Sequence, residues 1–199
     1  MRTVLIFDLG GILEIHDIDS FCNWIKNKYS IYEDIKPIYK KWEYLRDVDK
    51  IDEHEFYQKF IDEIKISLSE EEFYQEYYTN HVHQCLDMLK FIENKLFGKY
   101  ELYIFSNNSK INIRKFQDKI NYEKLFKKCV YSFDLKTKKP ALEFFKKGLK
   151  IINHKGDECI FIDDQLKSKI NSEKLGIKFI QYINLDKLKL DLKSLNILP

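Results

Sequence analysis

Val4-Leu5-Ile6-Phe7-Asp8-Leu9-Gly10-Gly11-Ile12-Leu13 is the stretch that decides the fold of this 199-residue chain. The unbroken bulky apolar run from Val4 to Phe7 predicts a strand buried on both faces. It ends in a carboxylate, Asp8, followed by Gly10-Gly11, a pair that lets the backbone turn sharply and approach a ligand closely. A side chain at the carboxyl end of a buried parallel strand stands where open α/β sheets hold their ligands. Asp before glycine also opens ordinary turns. Alone, the stretch marks a place to look.

Outward from it, the chain divides by rhythm. From Asp17 to Phe97 the pattern is helical throughout and predicts no strand. Ile18, Phe21, Cys22 and Ile25 fall at helix spacing behind Asp17 as a cap. Ile35, Ile38, Tyr39, Trp42 and Leu45 continue it, with Pro37 in a tolerant first turn. Asp52 with Glu55, and Ser69 with Glu72, are capping pairs ahead of further helices. A longer helix carrying Val82, Cys85, Leu86, Leu89, Ile92 and Leu96 is stopped by Gly98.

After Tyr100 strands alternate with helices. Tyr100–Phe105, Lys128–Ser132, Glu158–Ile162 and Ile177–Ile183 read as strands, and a helix opens at Lys139-Pro140 with Pro140 as a favoured first residue. Alternation of this kind predicts an α/β fold, a Rossmann-like parallel sheet flanked by helices. The helical block is too large for a crossover, which commonly takes a dozen or more residues. It is expected to form an inserted α-helical cap over the edge where the strands end.

Composition bounds the function. With 34 basic and 32 acidic residues the net charge is +2, so no global field favours nucleic acid. The lysine pairs at 40–41, 127–128, 138–139 and 146–147 are scattered and read as solvated helix faces. The aromatic-rich helical block lacks the basic stripe of a single-strand binder. Four cysteines without close spacing argue against a thiolate metal site or a disulfide framework and fit a reduced, cytoplasmic setting. Arg2 ahead of an apolar run faintly suggests a leader, but Asp8 interrupts it early, and no segment is long enough to span a membrane. His81 and His83, two apart on an expected helix, would point away from each other.

Polar clusters stand at or just after strand ends or at helix starts: Asp8, Ser106-Asn107, Lys139-Pro140 and Asp163-Asp164. Each alone could serve a turn or a helix cap. Together they supply a carboxylate nucleophile, anion-binding groups, a cation and a carboxylate pair. Phosphoryl transfer needs that set: oxygen ligands for a hard divalent ion, fixed positive charge for the phosphate, and an attacking carboxylate.

Carrying Phe7-Asp8-Leu9-Gly10-Gly11, Phe105-Ser106-Asn107-Asn108, Ser132-Phe133-Asp134-Leu135 with Lys139-Pro140, and Ile162-Asp163-Asp164, the chain resembles the haloacid dehalogenase-like (HAD) hydrolase superfamily. The similar branch has a helical cap after the first strand. The resemblance implies a core of residues 1–14 and 97–199 with a cap of 15–96. It implies that Asp8 attacks phosphorus and ligates Mg²⁺, while Ser106 and the Asn107 backbone hold the phosphoryl group. Lys139 would neutralise charge. Asp163 and Asp164, with the Gly10 carbonyl, would complete the metal site. The implied substrate is a small phosphorylated metabolite, with no nucleic acid or membrane partner. Monomer and homodimer stay equally open.

One departure from the family pattern stands out. Its phosphatases usually carry a second aspartate two residues after the nucleophile to protonate the leaving oxygen, and here that position is Gly10. A positioned general acid contributes roughly 10²–10⁴-fold. The expectation therefore branches. The leaving group is a good one, as in an acyl or anomeric sugar phosphate; or another acid such as Glu14, His16 or a cap residue acts; or the pocket only binds a phosphate ligand or a protein. Relatives with a similar Asp-x-Gly-Gly or Asp-x-Gly-Asn pattern include sugar-phosphate phosphatases. The superfamily's metal-free dehalogenases also lack the second aspartate, but adjacent Asp163 and Asp164 without a cation would repel.

Overall fold

The computed structural model describes residues 3–119 and 121–199; Arg2, the charge ahead of the first apolar run, lies outside them. The elements are β1 (Val4–Phe7), β2 (Glu14–His16), α1 (Ile18–Tyr29), α2 (Lys36–Asp47), α3 (Glu53–Ile64), α4 (Glu70–Asn80), β3 (Val82–Gln84) and α5 (Leu86–Phe91). Then come β4 (Glu101–Ser106), α6 (Lys110–Lys119), β5 (Lys128–Tyr131), α7 (Ser132–Leu135), α8 (Leu142–Ile152), β6 (Cys159–Asp163), α9 (Lys169–Glu173), β7 (Lys178–Gln181) and α10 (Leu185–Ser194).

β1 lies at the centre of a five-stranded parallel sheet in the order β5-β4-β1-β6-β7. Its residues alternate between two apolar layers. Leu5 and Phe7 join Leu102, Ile104, Ile160 and Ile162 in one core, and Val4 and Ile6 join Phe105, Phe144, Phe145 and Phe161 in the other. That is why the sequence run shows no polar alternation. Phe7 pairs in register with Ile104 on one side and Ile162 on the other, so Asp8, Ser106 and Asp163 reach the same sheet edge. The connections diverge there: β4 and β5 follow on one flank of β1, β6 and β7 on the other. This is the switch point where α/β sheets form clefts.

α1 to α4 pack around a separate apolar cluster that includes Phe21, Tyr39, Phe56, Phe60, Phe73 and Tyr77. The Asp17 cap and the Asp52–Glu55 capping box form as expected. At Ser69 the hydroxyl accepts from the Glu72 amide.

The structure corrects four expectations. First, the helical block contains strands: β2 and β3 pair antiparallel, Ile15 opposite His83. Their three-residue length leaves too little alternation to detect. His83 is therefore on a strand and His81 at the end of α4, not two apart on one helix. Second, the long helix expected from Val82 is only α5 and a π-helical turn at Ile92–Leu96, with Leu86 half exposed. Third, Met88, Leu89, Ile92 and Leu96 pack in the core of the sheet, although the 15–96 boundary assigned them to the cap. Fourth, Pro140 does not begin a helix; α8 starts at Leu142, and the Lys139–Pro140 bond in the preceding turn is cis.

Candidate active site

The site is assembled by chain ends that the sheet brings together. Asp8 continues β1, its amide donating to the Ile162 carbonyl at 2.8 Å while its Oδ1 accepts from the Leu9 amide at 2.7 Å. Lys139 arrives from the turn before α8, fully buried, with Nζ 2.7 Å from Asp8 Oδ2 and 2.8 Å from Asp163 Oδ2. A reciprocal pair of hydrogen bonds holds that turn: the Lys139 amide donates to Asn107 Oδ1 (2.7 Å) and Asn107 Nδ2 donates to the Lys139 carbonyl (2.9 Å). Asn107 therefore places the lysine with its side chain. Ser106 is wholly buried at the end of β4, its Oγ at 3.5 Å from the Asn107 carbonyl. Behind it, Ser132 Oγ accepts from the Asn108 amide at 3.1 Å and braces the same loop.

Asp163 ends β6 and accepts from the Gln165 amide at 2.7 Å, which turns the chain and presents Asp164. One carboxylate oxygen from each of Asp8, Asp163 and Asp164 lies within 4.8 Å of the others. Asp164 Oδ1 is buried and has no hydrogen-bond partner. Three hard oxygen donors, one unsatisfied, fit a divalent cation that prefers oxygen. The Gly10-Gly11 turn makes room for them. A Cβ on Gly11, whose φ is +75°, would stand 2.6 Å from Asp164 Cγ.

The electrostatics agree. Burial pushes the Asp8 carboxyl up to about 7; Lys139 opposes this and Asp163 and Asp164 reinforce it. Burial also disfavours the charge on Lys139, but Asp8 and Asp163 outweigh it and hold the ammonium above the ordinary lysine value. Burial raises Asp164 as well, helped by Asp163. Carboxylates so arranged lack positive charge.

A cavity of about 770 Å³ opens over these residues, between the sheet edge and the helical layer. Gly10, Gly11, Asn107, Lys139 and Asp164 line its floor, and His16, Lys40, Glu43, Arg46, Asp47 and Tyr77 reach it from the linker and the helices. Sequence reasoning missed this upper wall. Lys138, read there as part of a solvated pair, instead binds Asp47 of α2, and Arg46 is buried between Asp47 (3.5 Å) and Glu53 (3.1 Å).

A buried lysine thus joins carboxylates at the strand ends of a parallel α/β sheet, under a helical layer. The chain belongs to the haloacid dehalogenase-like hydrolase family, whose model matches residues 5–182. Among solved structures, a HAD family enzyme from Bacteroides thetaiotaomicron is 24% identical, with a TM-score of 0.76 over 96% of this chain and 98% of that one. The same protein in complex with magnesium and inorganic phosphate matches at 22% identity and TM-score 0.71, covering 94% and 99%. L-2-haloacid dehalogenase from Xanthobacter autotrophicus, with chloropropionic acid covalently bound, is 14% identical with a TM-score of 0.65, covering 100% of this chain and 85% of that one. At these identities the structures speak for the fold. No curated protein matches the chain.

Proposed function

We propose that this hydrolase is a magnesium-dependent phosphatase of a small phosphorylated metabolite, a sugar phosphate in particular, working through an aspartyl-phosphate on Asp8. The observation that carries the reading is the Lys139 ammonium bonded to both Asp8 and Asp163 beside an Asp164 oxygen without a partner. A dehalogenase needs a carboxylate nucleophile but gains nothing from three crowded carboxylates. The magnesium and phosphate bound by the B. thetaiotaomicron enzyme support the same choice.

In this mechanism Asp8 Oδ attacks phosphorus and Lys139 offsets the charge on the nucleophile and the transferring group. The Ser106 hydroxyl and the Asn107 backbone orient the phosphoryl oxygens. Asp8, Asp163, Asp164 and the Gly10 carbonyl would hold Mg²⁺, which supplies Lewis-acid stabilisation of developing charge when bound. Water then hydrolyses the acyl phosphate and frees Asp8. The helical layer, residues 15 to about 85, acts as the cap that sets the substrate, and the mixed charges of its wall suit a hydroxyl-rich leaving group.

The test is phosphate release from acetyl phosphate and 4-nitrophenyl phosphate with Mg²⁺. The wild type should turn over, Asp8→Asn should be inert, and EDTA should abolish the activity. Halide release from a 2-haloacid that survives EDTA, with no phosphate release, would instead support dehalogenation. Gly10 motivates a second reading, a phosphate-binding or protein-binding relative without turnover, and equal inertness of wild type and Asp8→Asn would favour it.

A further inference from the structure

Resting on the phosphatase reading, the remaining question is which group protonates the departing oxygen when Gly10 carries no acid. Of the described histidines, His16 is the one that lines the cavity. It sits on β2, and the bridge between Gly10 and Glu14 fixes that strand against the glycine turn. Both ring nitrogens are engaged. Nε2 lies 2.9 Å from Glu14 Oε2 and Nδ1 2.7 Å from the Tyr77 hydroxyl. Glu14 is only 3% exposed and its Oε2 occupies the Nε2 side of the ring, which leaves the Nδ1 side to Tyr77. Nδ1 is then the nitrogen that exchanges a proton with Tyr77, whose side chain also lines the cavity.

We infer that the Glu14–His16–Tyr77 chain supplies the proton for which Gly10 has no group. As the P–O bond breaks and its electron pair stays on the leaving oxygen, the Tyr77 hydroxyl gives that oxygen its hydrogen. The His16 imidazolium replaces it from Nδ1, keeping Nε2–H on Glu14. In the second half, water forms the new P–O bond and the Asp8–phosphorus bond breaks. The proton that water loses returns through Tyr77 to His16, so the cycle closes without a co-reactant. Burial holds the Tyr77 phenol above its ordinary value, so it keeps its hydrogen until charge develops on the leaving oxygen. The groups facing the relay are Glu14 on the same strand, Arg46, Glu43 and Tyr39 from α2, and Tyr78 on α4.

The test uses two esters of similar shape and different leaving ability, phenyl phosphate and 4-nitrophenyl phosphate. His16→Gln keeps an amide for Tyr77 but cannot carry the proton. Its kcat/KM should fall by about 10²-fold or more on phenyl phosphate and far less on 4-nitrophenyl phosphate. Glu14→Gln, which takes the carboxylate from the Nε2 side of the ring, should show the same ester-dependent loss to a smaller degree. If His16→Gln does not fold, Tyr77→Phe should show the same ester-dependent loss. Equal loss on both esters, no loss on either, or a wild type active on the nitrophenyl ester alone would overturn the relay. A wild type inert on both would remove the phosphatase reading, and the relay with it.

Discussion

Adjacent glycines do different work in this site. Gly11 has φ +75° and a Cβ there would collide with the Asp164 carboxylate, whereas a Cβ on Gly10 meets nothing within 4 Å. Gly11→Ala should therefore raise the magnesium concentration needed for half-maximal activity by more than about tenfold, the combined effect of a strained turn and a displaced ligand. Gly10→Ala should leave it nearly unchanged; a magnesium titration of each variant decides. Asp8 sets a pH dependence. Metal-free, its carboxyl titrates at about 7 against a usual 3.8, so the folded state binds more protons through that window and loses stability as pH rises across it. Magnesium competes with that proton. The Tm gain from adding Mg²⁺ should be larger at pH 8 than at pH 6 in paired thermal melts, and an equal gain would contradict it. Asp8, Lys139, Asp163 and Asp164 were legible because each follows or ends a recognisable strand or opens a turn. Lys138 was not: its partner Asp47 is 91 residues away, and no local pattern encodes such a pair.

At the scale of elements, close approach and buried charge fix how helices sit. α8 rests on the sheet through Gly148, where a Cβ would lie 2.6 Å from the Phe105 ring. Gly148→Ala should destabilise by about 1–3 kcal/mol through overpacking, despite the better helix propensity of alanine. In α2, Arg46 stacks over Phe56 at 4.3 Å and satisfies two carboxylates. Arg46→Met leaves Glu53 without its cation and Asp47 with Lys138 alone, and should cost about 3 kcal/mol, a fall in Tm of roughly 6–12 °C for a chain of this size. Capped helices such as α1 and α3 were readable from Asp17 and Asp52, since capping is local chemistry. β2 and β3 were not, because Glu14–His16 finds its partner only after four intervening helices.

For the molecule as a whole, stability is expected to be graded from the sheet outward. β1 is hydrogen-bonded on both sides and its side chains are wholly buried, while β2 and β3 form an isolated pair. Amide exchange followed by mass spectrometry should show Val4–Phe7 protected longest and Glu14–His16 and Val82–Gln84 opening much earlier. The parallel architecture was readable from strand–helix alternation. How the helical layer folds down onto the site was not, because ion pairs such as Asp49 with Lys110 and Lys136 depend on the finished tertiary arrangement.

The backbone enters and leaves that layer side by side, with the Asp17 amide donating to the His81 carbonyl at 2.8 Å. A block of chain attached at a single doorway can be exchanged wholesale. Grafting another helical bundle between those two positions should leave the strand register of the sheet intact while replacing the upper wall of the cavity.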